Sequence, residues 1–244
     1  MDNSFLNPAS PDFAARRAEA RKLLDSLDPA MQDGALPDDP SRRVWFEAVY
    51  GLAKGDPARV PWAALAPHPL TQAWVAAQAH GIAGLRVLDI GCGLGDNAEY
   101  FAARGARVTA FDLVGEAAEW AMRRFPATKV TYCQGDLFAL PEPWLQNFDL
   151  VHECYTLQAL SPALLPQALA ALGSLLAPGG KLLVVARARD GTSETKGSPW
   201  PLPPSIFDEA KRQGLEPVSI EDIPAAAEVT ARHWRALLRR AEDS

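Results

Sequence analysis

The sequence predicts an α/β fold: an open, mostly parallel sheet with helices on both faces, set behind a helical N-terminal extension. Three features point to it. The apolar run Arg86–Ile90 stops at the alternate glycines Gly91, Gly93 and Gly95, where helical spacing takes over. A second apolar run begins at Arg107 and ends in Asp112. Short apolar runs then alternate with amphipathic stretches toward residue 240, the alternation that builds parallel sheets.

About 85 residues precede the glycines. Residues 12–27 have helical spacing with arginines and acids outward, and residues 34–40 form a Pro/Asp-rich connector. Ser41 is placed to cap a helix running to about residue 54, with Val44, Trp45, Val49 and Leu52 on one side. Gly55-Asp56-Pro57 ends it; Pro61-Trp62 and His68-Pro69-Leu70 follow, then a helix to about His80. Residues 1–83 are too long for a simple cap and read as a lid on a domain at 84–244.

Beyond Asp112, residues 129–132 read as a third strand, followed by Gly135-Asp136-Leu137-Phe138, and residues 148–153 as a fourth. Ser161 opens an amphipathic helix to about residue 176, with Pro178-Gly179-Gly180 closing it. Residues 181–186 are a fifth strand, and residues 188–204 a loop rich in Gly and Pro. A helix at 205–213 and a strand at 217–220 come next. Residues 231–240 are ambiguous by pattern, period and composition favouring a helix.

An acid about 20 residues past a glycine turn sits beside that turn at the carboxyl edge of adjacent strands and can meet a ribose. The glycines discriminate among ligands with an adenosine-like end. The dinucleotide fingerprint is G-x-G-x-x-G/A, its helix start facing a pyrophosphate. Here the pattern is G-x-G-x-G, and Asp96 stands where the fingerprint has Gly or Ala. A carboxylate there repels a diphosphate but tolerates the sulfonium and ammonium of S-adenosylmethionine. Asp89 adds a second acid two residues before Gly91. The competing readings are an ordinary tight turn with an acid at a strand end, and a nicotinamide site.

These motifs, in this order over residues 84–190, resemble the class I S-adenosylmethionine-dependent methyltransferases. The resemblance implies a Rossmann-like, mixed seven-stranded sheet whose antiparallel strand falls near the C-terminal end. It also implies that Gly91, Cys92, Gly93 and Gly95 border the methionine part, Asp112 with Leu113 the ribose, and Asp136 with Leu137 the adenine. Trp45, Pro61-Trp62 and His68-Pro69-Leu70, with Gly197-Ser198-Pro199-Trp200, are similar to the thiopurine methyltransferase family, which includes halide and thiol methyltransferases. That family has a Gly-Pro-Pro-aromatic loop, and some members have Asp-Arg after the fourth strand. This chain has Ser198 for the first proline and Glu153-Cys154 for Asp-Arg. The narrower resemblance implies a lid of Trp45, Trp62 and Trp200 over a small, soft nucleophile.

Glu153 and Tyr155 lie past the fourth strand, where this class presents residues to the acceptor, and are the catalytic candidates. Glu153 could accept a proton, position an ammonium (as a cofactor-binding residue) or cap a helix. By strand alternation His152 points the other way and is packed. Arg187 and Arg189 read as solvent-facing arginines.

A net charge of −6 without a basic stripe argues against nucleic-acid binding. Absence of an apolar run near 18 residues argues against a membrane span, and the start lacks the form of a signal peptide. Cys92, Cys133 and Cys154 show neither zinc-ligand nor disulfide spacing, so a cytoplasmic protein without metal is expected. The expected activity is methyl transfer from S-adenosylmethionine to a small-molecule acceptor, a thiol or other soft nucleophile, by in-line displacement. The alternatives are an N- or O-methyltransferase of a small metabolite and a cofactor-binding module without turnover. The chain is expected to act as a monomer or homodimer.

Overall fold

The computed structural model describes residues 6–28, 39–191, 199–226 and 229–241. Seven strands form one sheet in the order β3-β2-β1-β4-β5-β7-β6. They are β1 (Arg86–Ile90), β2 (Arg107–Asp112), β3 (Thr131–Gln134), β4 (Phe148–Cys154), β5 (Leu176–Arg187), β6 (Leu215–Ile223) and β7 (His233–Arg240). β1 to β5 pair in parallel, while β7 runs antiparallel between β5 and β6. The mixed seven-stranded sheet is therefore the one expected. Strand order reverses at β1, which has β2 on one side and β4 on the other, so a crevice opens at their carboxyl ends.

Among the described residues, seven α-helices accompany the sheet: α1 (Pro11–Leu27), α2 (Asp39–Ala53), α3 (Pro69–Ala76), α4 (Asp96–Ala102), α5 (Gly115–Arg124), α6 (Leu165–Ser174) and α7 (Ile206–Arg212). Strands buried on both faces need continuous apolar runs. Leu88, Ile90, Val151, Leu182 and Val184 share one core with α6 and α7, and Val87, Val108, Leu150, Leu183 and Leu237 another with α4 and α5. A third cluster joins the extension to the crevice: Tyr50, Ala53, Val60 and Ala63 pack on Leu94, Val114, Ala117 and Trp120.

Several boundaries differ from expectation. α2 begins at Asp39, so Ser41 lies inside it and is not its cap; Pro40 is tolerated because a proline in the first turn forfeits no helical hydrogen bond. The rest of the expected connector, residues 34–38, lies outside the described residues. α3 ends at Ala76, short of His80, where the Gln78 side chain turns back onto the Trp74 carbonyl. α6 is shorter than expected, with a 3-10 turn at Pro162–Leu164 before it. Leu176–Gly180 do not end a helix but open β5, across an irregular register with Phe148 and Leu150. β3 is displaced two residues, and β6 extends beyond residues 217–220 at both ends. β7 is a strand because Trp234, Ala236 and Leu238 serve one core while Leu237 serves the other.

Candidate active site

At the carboxyl end of β1 the chain makes a turn that strongly favours glycine. Gly91, Gly93 and Gly95 have φ of 61°, 53° and 87°, a region that L side chains rarely occupy. A Cβ on Gly91 would lie 2.5 Å from Thr156 Oγ1, and one on Gly95 would overlap Tyr132 Oη. Cys92 is half-buried between them, its N–H on the Phe111 carbonyl of β2.

Asp112, at the end of β2, is buried beside this turn. Its Oδ2 accepts from the Gly93 N–H at 2.9 Å and its Oδ1 from the Val114 N–H at 3.0 Å. Burial raises this carboxyl to about 6, against the pull of those two N–H groups. A carboxylate has about four acceptor sites, so each oxygen keeps a lone pair for a ligand hydroxyl. The Asp112 carbonyl accepts from Gly135 N–H, bringing Asp136 alongside. Asp136 Oδ1 accepts from the Phe138 N–H, and its Oδ2 pairs with Arg43 of α2. Leu113 is half-buried, its carbonyl accepting from the Gln134 side chain, and Leu137 lies in the main core.

Asp89 and Glu153 lie deeper, on neighbouring strands. Asp89 Oδ1 is 2.6 Å from His152 Nδ1, and His152 Nε2 is 3.0 Å from Thr71 Oγ1 of α3. His152 is thus fully buried, as expected, and ties the extension to the sheet. Glu153 Oε2 accepts from the Thr156 and Leu157 N–H groups, the contact expected of the capping alternative among its three. Burial pushes this carboxyl up to about 8. Asp89 Oδ2 and Glu153 Oε1 are buried without a partner, a costly condition that a cationic ligand would relieve. Asp96 does not serve as expected. Arg124 of α5 holds it bidentately, at 2.9 Å to each oxygen, so its charge is neutralised in place.

The extension brings aromatic rings against the turn. Trp62 Nε1 donates to Tyr50 Oη at 3.1 Å, and both atoms lie within 4 Å of where a Gly93 Cβ would be. Trp45 and Phe46 complete the group, with Trp45 and Trp62 centroids 6.0 Å apart. Trp200 is buried on a different element, its N–H on the Gln158 carbonyl; Gly197 and Ser198 lie outside the described residues.

Tyr155 follows β4 with φ 69°, a strained backbone at the carboxyl edge of the sheet. Its hydroxyl sits 2.9 Å from His68 Nε2 and 2.6 Å from His233 Nε2. Arg187 of β5 is not solvent-facing as expected: its guanidinium lies 6.0 Å from the Tyr155 ring centroid and its Nε is buried. Sequence reasoning missed His68 and His233 as members of this group. His68 carried a signal only as part of the His68-Pro69-Leu70 motif and as a helix N-cap, and nothing in the pattern marks His233. Tyr50, Arg43 and Thr156 were also missed.

Among the described residues, no group of three or more His, Cys, Asp or Glu is placed to hold a metal ion, and no helix is long and apolar enough to cross a membrane.

The sheet order and the site define the class I methyltransferase fold, and comparison with known proteins agrees. Residues 87–180 match the family described as a methyltransferase domain. The chain is 33% identical over 139 residues to a malonyl-[acyl-carrier protein] O-methyltransferase of Pectobacterium atrosepticum, covering 52% of each. It is 40% identical over 86 residues to a ubiquinone biosynthesis O-methyltransferase of Vibrio cholerae, covering 34% of this chain and 35% of that one. It thus spans about half of the first of these curated relatives and about a third of the second. Among solved structures, a Burkholderia thailandensis 1,6-didemethyltoxoflavin-N1-methyltransferase with bound S-adenosylhomocysteine superposes with TM-score 0.70 at 22% identity, covering 86% of this chain and 94% of that one. Residues 87–180 therefore match a methyltransferase domain, within a chain that has the class I methyltransferase fold.

Proposed function

We propose that this chain is an enzyme that methylates a small molecule, at an acceptor atom that carries a proton, with S-adenosylmethionine as donor. The observation that carries the donor assignment is the glycine turn, flanked on the two faces of the sheet by buried oxygens without a partner, Asp89 Oδ2 and Glu153 Oε1. Either oxygen suits the donor's ammonium. Gly91, Cys92, Gly93 and Gly95 would border its methionine part, Asp112 and Leu113 its ribose, and Asp136 and Leu137 its adenine. When bound, S-adenosylmethionine supplies a methyl group already activated by its sulfonium. The protein's task is then to align the acceptor and exclude water, and orientation of this kind can contribute about 7–11 kcal/mol.

Residues 1–83 act as the lid in this reading, and 84–244 as the catalytic domain. Two acceptor classes fit. The aromatic residues Trp45, Trp62 and Trp200 support a thiol or other soft nucleophile, as in the thiopurine methyltransferase family. The Tyr155 hydroxyl between two imidazoles supports an O–H or N–H acceptor, and the relatives named above include O-methyltransferases. The three unbridged cysteines suit a cytoplasmic protein.

Calorimetry with S-adenosylmethionine, S-adenosylhomocysteine and NAD, followed by labelled transfer to panels of thiols, phenols and ring N–H compounds, tests this. Micromolar binding of the first two, with transfer to one panel, is the expected result. Binding of NAD alone would overturn it, and donor binding without any product would favour a module that holds the donor without turnover.

A further inference from the structure

The group around Tyr155 has a direction fixed independently at both ends. His233 Nδ1 lies 2.6 Å from the Ala231 carbonyl, which can only accept, so Nδ1 carries the proton and Nε2 offers a lone pair. Tyr155 therefore donates to His233 Nε2. At the other end, the Leu70 N–H donates to His68 Nδ1 at 3.2 Å, so His68 carries its proton on Nε2 and donates to Tyr155 Oη. The two backbone groups dictate the same sense: Leu70 to His68 to Tyr155 to His233 to Ala231. Tyr155 Oη keeps one lone pair, with the Arg187 side chain also in hydrogen-bonding range of the hydroxyl.

We propose that Tyr155 and His233 form a one-way proton relay that removes the acceptor's proton during methyl transfer, with His68 as a positioning residue, and that the acceptor is a weakly acidic O–H or ring N–H compound. This rests on the methyltransferase reading above. A thiol, near pKa 8.5, is already partly ionised at neutral pH and gains little from such a base, whereas a less acidic O–H or N–H must lose its proton as it attacks. The acceptor's X–H bond breaks and its electron pair forms the new bond to the donor's methyl carbon. The C–S pair remains on sulfur. The acceptor's proton passes to Tyr155 Oη while the tyrosine's own proton passes to His233 Nε2, and the imidazolium then returns it to water.

The surroundings keep the resting groups neutral. Burial, with the neighbouring Cys154 thiol, pushes the Tyr155 hydroxyl up to about 12 despite Arg187. Burial and the neighbouring His233 and His152 hold His68 near 4. His233 is lowered by burial and by Arg187 on β5, against the Ala231 carbonyl. On β6, Ile223 pairs with His233 and the adjacent Asp222 is bound to Arg232.

The first test needs no acceptor: 15N NMR of the full chain at pH 7.5, with His68→Gln and His233→Gln for assignment. His233 should be protonated at Nδ1 and His68 at Nε2; the reverse tautomer at either ring would overturn the relay. The second measures His233→Gln and Tyr155→Phe against acceptors of graded acidity. Losses of about 10²–10⁴-fold in kcat are expected for acceptors un-ionised at the assay pH, shrinking to within about threefold for one already ionised, with donor Kd unchanged. In His233→Gln the rate should climb with pH toward the wild-type value. A loss of equal size across the series and at every pH refutes the relay. If the wild type binds donor yet methylates nothing, the methyltransferase reading fails instead, and the tautomers still decide whether the relay exists.

Discussion

Arg43 of α2 is ion-paired with Asp136, which follows β3, so the extension and the β3 side of the sheet meet over the mouth of the crevice. The pair is partly exposed, at 36% and 27% of the two side chains, and such pairs contribute under about 1 kcal/mol to stability. Its effect should fall on ligand retention. Arg43→Ala should leave melting nearly unchanged and speed donor dissociation about three- to tenfold at low salt, converging with wild type at high ionic strength, where exposed charges are screened. Stopped-flow dissociation at two salt concentrations checks this; a salt-independent difference would place the effect in packing.

Asp112 holds the turn and offers acceptors to the ligand at once. Asp112→Asn swaps one carboxylate oxygen for an amide that cannot accept from Gly93 or Val114, leaving a buried N–H opposed. That should cost about 1–3 kcal/mol of stability. Donor affinity should fall by at least about tenfold, since a hydrogen bond to a charged acceptor contributes about 1.5–3 kcal/mol. Calorimetry and denaturant unfolding read the two losses separately. Unchanged affinity would remove Asp112 from the site.

The three glycines are not equivalent. At Gly95 an added Cβ meets both the Tyr132 hydroxyl, held by Glu99 at 2.9 Å, and Ala121 Cβ at 3.0 Å, on a φ of 87°. At Gly91 it meets only the Thr156 hydroxyl. Gly95→Ala should therefore destabilise by about 2–4 kcal/mol and Gly91→Ala by about 1–3. Thr156→Ala should recover part of the Gly91 loss and none of the Gly95 loss, as thermal melts of the double variants would show.

What could be read from sequence follows from range. β1, β2 and Asp112 were legible because burial on both faces demands unbroken apolar runs, and because the glycine-to-acid spacing is a local constraint. Leu176–Gly180 were misread because Pro and Gly stop a helix and equally begin an irregular strand; only the pairing of Phe148 with Leu176 decides. Asp96 sits where expected, but Arg124, far along the chain, cancels its charge. The same holds for His68, Tyr155 and His233. Three different elements bring them together, and no periodicity records that they meet.

Glu153 makes a pH prediction whose sign is opposite to that of an ordinary ion-paired acid. Its folded carboxyl stands at about 8 against an unperturbed 4.5. Between those values the folded chain holds a proton that the unfolded chain has released. Stability from this group is thus complete below 4.5 and is lost as pH rises through 8, with a slope of at most about 1.4 kcal/mol per pH unit. Glu153→Gln keeps an oxygen for the Thr156 and Leu157 N–H groups and cannot ionise. Its melting temperature should lose this fall between pH 5.5 and 8 and exceed the wild type's at pH 8. A donor ammonium near Oε1 favours the ionised form, so wild-type binding near pH 7 should release a proton, and the variant's should release less. Calorimetry in buffers of different ionisation enthalpy measures that proton. If wild type and Glu153→Gln released equal numbers, the unpartnered oxygen would not be what meets the ligand.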